Sequence, residues 1–147
     1  MKLVDGEETI LIVVASALED GHPDRVSADR LRAEIDLRGR GSAYRRALLV
    51  GDEAWFATEL FHDAPTIAVG GPGVNAVAGR FAGTVPSVWT DGEEVVIQAV
   101  IDQGPRQASL WGVNRQATAA AVEAFIARGW LDEFLDRCWR FKGDVLA

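Results

Sequence analysis

The run Thr9–Ala15, TILIVVA, limits what this chain can fold into more than any other segment. It shows no polar alternation and is rich in β-branched residues, so a strand built from it needs cover on both faces. That requirement points to a central parallel strand with helices packed on either side. The apolar stretch itself, Ile10–Ala15 with a weak extension to Leu18, is far shorter than the roughly 20 residues that cross a bilayer, so no membrane partner is expected.

Downstream, SALEDGHPD carries Gly21 and Pro23 as loop markers, and the following segment places Val26, Ala28, Leu31 and Ile35 at helical spacing. The spacing predicts a helix from about Pro23 to Leu37, with Gly39 and Gly41 just past its end. Tyr44–Val50 predicts a second strand ending at Gly51, and the intervening length suits a parallel βαβ unit. Glu53–Phe61 reads as a short helix carrying Trp55, Phe56 and Leu60 inward, and TIAVG after Pro65 as a third strand. A glycine-rich turn then opens a helix kept short by Gly79 and Gly83, each costing roughly 1 kcal/mol relative to alanine.

Past Val85 the pattern changes. Asp91-Gly92 suits a tight hairpin, and EVVIQAVI and QASLWGV predict antiparallel strands near residues 95–113. The tail is helical: Ala121, Val122, Phe125 and Ile126 share one side of a first helix. Beyond Gly129, Trp130, Leu131, Phe134, Leu135, Cys138 and Trp139 share one side of a second. The expected fold is α/β: one three-layer, Rossmann-like domain spanning residues 1–147. Its mixed sheet has about five to six strands, parallel in an N-terminal βαβαβ and antiparallel toward the C-terminus.

One cysteine, Cys138, and two histidines rule out a disulfide framework and a Cys/His zinc cluster, so no metal is expected. Cys138 lies in an apolar stripe and is expected to be buried and inert. The early acids Asp5, Glu7 and Glu8 are the reverse of a basic signal-peptide start, which makes the cytoplasm the expected location. A net charge of −7 argues against nucleic acid as a partner. Yet seven arginines against three acids lie between Arg25 and Val50, a segment that reads as a solvated face or as a pole for pairing or anion contact.

The segment from Thr66 to Ala76, TIAVGGPGVNA, is where chemistry is expected. A strand, a glycine turn and a helix start let backbone N–H groups approach an anion. Gly71–Ala76 also fits the degenerate pattern GxGxxA, although it follows the third strand and contains Pro72. Ligands of open α/β sheets sit beyond the carboxyl ends of the strands, which brings together Ser16, Asp52, Gly70, Gly71, Gly73 and Asn75. Asn114 or Arg115 joins them if the strand before them runs toward the same edge.

The expectation is a small anionic metabolite or nucleotide held by the amides of Gly71 and Gly73, with Asp52 and Asn75 as polar partners. Asp52 and Asn75 are equally suited to capping helices. His22 with Asp20 is an acid/base pair only in outline, and the sequence names no nucleophile, base and acid set, so catalysis has no assigned residues and no cofactor is named. The alternative is a non-catalytic oligomerisation or protein-interaction domain, a homo-oligomer built on the tryptophan-rich C-terminal helices.

Overall fold

The computed structural model describes residues 5–19, 21–101 and 103–144. Six strands form one mixed sheet: β1 (Ile10–Val14), β2 (Ala47–Gly51), β3 (Thr66–Val69), β4 (Ser87–Asp91), β5 (Val95–Ala99) and β6 (Gln107–Gly112). Their order is β2-β1-β3-β6-β5-β4. β1 runs parallel to both β2 and β3, with Ile12 opposite Leu49 on one side and Ile67 on the other. β3 is parallel to β6 as well, whereas β5 is antiparallel to β6 and to β4. The helices are α1 (Pro23–Gly39), α2 (Asp52–Ala57), α3 (Glu59–His62), α4 (Ala76–Ala82), α5 (Arg115–Ala127) and α6 (Trp130–Asp144).

All five residues of β1 are buried, as its composition demands. Alternate side chains enter opposite cores. Ile10, Ile12 and Val14 pack with Ala28, Leu31 and Ile35 of α1, Phe125 of α5 and Phe134 of α6. Leu11 and Val13 pack with Trp55 of α2 and Val77, Ala78 and Phe81 of α4. The result is the expected three-layer α/β architecture with the sheet in the middle. Each fully buried aliphatic or phenyl side chain contributes about 1.5–3 kcal/mol, so the two cores supply the dominant favourable term.

Three local expectations are corrected. Val26 is 57% exposed, because the inward face of α1 runs Asp24, Ser27, Ala28, Leu31, Ile35 and leaves Val26 to one side. α1 also continues through Gly39 and closes on Arg40, which takes the left-handed conformation (φ 54°). Glycine stands at 39 for close passage instead, since a Cβ there would lie 1.7 Å from the Arg45 carbonyl oxygen where the chain enters β2. The helix expected over 53–61 breaks at Thr58, whose backbone is extended, into α2 and α3. The break changes the helical phase, so Trp55 is buried while Phe56 is partly exposed and Leu60 lies 83% exposed.

The tail covers the sheet with the side chains expected to be its apolar stripe: Leu131, Phe134, Leu135, Cys138 and Trp139 all belong to the core. Trp139 Nε1 donates to the Glu8 carbonyl at 2.7 Å, tying α6 to the segment before β1. The arginine-rich segment is paired within the chain: Arg30 contacts Glu34 and Glu123, and Arg38 contacts Glu34 and Asp132. No helix among the described residues is long and apolar enough to cross a membrane.

Candidate functional site

The topology positions the site. From β1 the chain crosses to β2 on one side, and it returns past β1 to place β3 on the other. α1 and α4 therefore leave the carboxyl ends of neighbouring strands β1 and β3 on opposite faces, which opens a crevice between them. Because β6 is parallel to β3, its carboxyl end reaches the same edge and brings Asn114 and Arg115 there.

A cleft of about 390 Å³ occupies this place. Leu18, His22 and Asp24 line it from the β1–α1 connection, and Gly71, Pro72, Gly73 and Val74 from the turn after β3. Trp111, Val113, Asn114, Arg115 and Thr118 complete it from β6 and the start of α5. A second hollow, about 770 Å³, adjoins across Asn114 and Arg115 and lies between Pro23, Val26 and Ser27 of α1 and Gln116 and Ala119 of α5.

Of the residues expected at a binding site, the structure places two in this cleft, Gly71 and Gly73. Ser16, Asp52 and Asn75 come together beside it as a hydrogen-bonded cluster that holds backbone. Asp52 Oδ1 accepts from the Ser16 amide (3.0 Å), the Ser16 hydroxyl (2.7 Å) and the Glu53 amide (2.9 Å), while Oδ2 accepts from the Ala76 amide at 2.9 Å. Burial by itself would raise the Asp52 pKa, but these bonds outweigh it and hold the carboxyl below its ordinary range.

Asn75 is fully buried. Its Nδ2 donates to the carbonyls of Val13 and Val69, and its Oδ1 accepts from the Val77 and Ala78 amides, so one side chain joins β1, β3 and the start of α4. The amides of Val74 and Asn75 donate to the Gly71 carbonyl. The amides of Gly71 and Gly73 donate to none of the described residues, and they face the cleft.

Gly70 adopts φ +117°, a region that disfavours side chains, and its amide donates to the Leu110 carbonyl. A Cβ at this position would come within 3.3 Å of Asp24 Oδ2. Its role is thus to admit the Asp24 carboxylate next to the turn. Asp24 is only 6% exposed, and its Oδ1 has no hydrogen-bond partner. Burial pushes its pKa above the ordinary range, while the nearby charges of His22 and Arg115 pull it back.

On the facing side, α5 opens on Asn114, whose Oδ1 accepts from the Ala117 amide at 2.8 Å. The Thr118 hydroxyl is engaged by the Gly112 amide. Among the described residues Arg115 makes neither a hydrogen bond nor an ion pair. The cleft accordingly presents an acceptor on the α1 side and donors on the glycine-turn and α5 side, where the helix dipole adds partial positive charge.

His22 caps α1 through Nδ1, which accepts from the Asp24 amide at 3.1 Å, and Asp20, considered with it above, lies outside the described residues. His62 Nε2 sits 2.9 Å from the Trp55 carbonyl oxygen, a structural contact away from the cleft. Burial pushes the Cys138 thiol up to about 12. No group of three or more metal-ligating side chains occurs among the described residues.

Sequence reasoning missed Asp24, although a signal existed: it occupies a position on the buried stripe of α1 where an apolar residue belongs. No protein-family model matches the chain, and no curated protein matches it.

Proposed function

We propose that this protein binds a small anionic metabolite or nucleotide in the cleft beyond the carboxyl ends of β1, β3 and β6. The observation that carries the reading is the pair of unbonded amides, Gly71 and Gly73, facing Arg115 and the first turn of α5 across a cleft of about 390 Å³. That volume falls within the range of small-molecule sites. Asn114 and Arg115 take the polar roles first expected of Asp52 and Asn75, whose atoms are committed to backbone. The proposal includes a cytoplasmic setting and no affinity for nucleic acid, in keeping with the net charge of −7. The oligomerisation alternative draws no support from the tail, because Phe134 and Trp139 are already buried in the chain's own core.

Gly73→Val is the discriminating variant. A Cβ at Gly73 meets no atom within 4 Å and the backbone there needs no left-handed φ, so the fold tolerates the side chain while the cleft is obstructed. Native mass spectrometry of freshly purified protein should reveal a retained small molecule that Gly73→Val loses at unchanged circular dichroism and Tm. Equal retention by the variant would refute the proposal. So would a protein that carries no added mass and whose Tm no nucleotide or sugar phosphate raises.

A further inference from the structure

Asp24 is the group in this cleft that the protein leaves unserved. A buried carboxylate oxygen without a partner is costly, and native structures rarely retain one unless it does something. Here no neighbour can turn toward it. The Thr118 hydroxyl is engaged by Gly112, Asn114 Oδ1 by Ala117, and His22 Nδ1 by the Asp24 amide itself. The chain nevertheless makes room for this carboxylate, since Gly70 is the residue that avoids crowding Oδ2.

Resting on the function proposed above, we infer that Asp24 determines the specificity of the cleft by accepting a hydrogen bond from a hydroxyl of the ligand. The ligand is then a hydroxyl-bearing phosphate, the chemistry of a sugar phosphate or of the ribose phosphate in a nucleotide, and not a bare anion. Its phosphate lies toward Gly71, Gly73 and Arg115, and its hydroxyl toward Asp24. A hydroxyl fits better than an ammonium because Arg115, whose charge is already felt at Asp24, would repel a second cation. Val74 and Val113, each 61% exposed, supply an apolar rim on which a flat base can rest.

Titration calorimetry with ribose 5-phosphate, adenosine 5′-monophosphate and sulfate, on the wild type and on Asp24→Ala, tests the inference. Sulfate is the anion without a hydroxyl. The wild type should bind at least one hydroxyl-bearing phosphate roughly 10-fold or more tighter than sulfate, the worth of one charge-assisted hydrogen bond. Asp24→Ala should lose that preference, bind sulfate as well as the wild type or better because a repulsive charge has gone, and melt at a higher temperature when unliganded.

A 10-fold advantage of adenosine 5′-monophosphate over ribose 5-phosphate would place the base on the rim, and equal affinities would leave the sugar phosphate as the recognised unit. Undiminished binding of the hydroxyl-bearing phosphates by Asp24→Ala overturns the inference. Wild-type binding of sulfate with no preference for them overturns it too, while leaving the anion site standing. A wild type that binds none of the three overturns the anion site along with it.

Discussion

Replacing Asp52 with alanine should damage the fold itself, not only a binding edge. Its carboxylate accepts four hydrogen bonds that join the end of β1 to the starts of α2 and α4. A hydrogen bond to a charged acceptor contributes about 1.5–3 kcal/mol, and bonds sharing one carboxylate are not additive. We therefore expect Asp52→Ala to lose about 3–5 kcal/mol at pH 7, a drop in Tm of roughly 10 °C for a domain of this size. Asp52→Asn keeps one acceptor, which can serve the three donors on the Oδ1 side, but turns an NH₂ group toward the Ala76 amide. Its loss should be about 2–3 kcal/mol.

The pH dependence gives the sign. Because the folded pKa is depressed, the carboxylate contributes its full stabilisation above the unfolded value and loses it as pH falls through the folded value. Urea unfolding should show the gap between wild type and Asp52→Ala wide at pH 7 and narrowing below about pH 4. A variant within about 0.5 kcal/mol of wild type at pH 7, the range of an ordinary surface substitution, would refute the reasoning.

Two further outcomes are expected. Gly39→Ala lies within a helix, where alanine is ordinarily favoured by about 1 kcal/mol, yet the variant should be destabilised because its Cβ would overlap the Arg45 carbonyl oxygen; a raised urea midpoint would contradict the close approach. Cys138, with its thiol pKa pushed up to about 12, should resist Ellman's reagent at pH 8 in native protein and react at once in urea; rapid native labelling would show that α6 does not seal this part of the core.

Where local pattern alone decides, the sequence could be read. The unbroken apolar run of β1 demanded two-sided cover, and the Asp91-Gly92 turn joins β4 and β5 as expected. Reading failed where a single residue reset a phase: the extended backbone at Thr58 turned Phe56 and Leu60 outward although they fit one continuous helix. The site was partly hidden for a different reason. Asn114 and Arg115 reach the cleft because β6 pairs parallel to β3, a choice made between segments about 40 residues apart and invisible in the spacing of either.

The two aspartates beside the glycine turn show how a helix start can serve opposite ends. Asp52 and Asp24 both lie in the first turn of a helix at the carboxyl edge, and both are largely buried. The first has every oxygen engaged and a depressed pKa, as a group that holds the fold together should. The second has an empty oxygen and a raised pKa, so in the unliganded protein its ionised form weakens the fold. Burial alone does not separate them. What separates them is whether the chain supplies the donors, and at Asp24 the missing donor has to come from outside the protein.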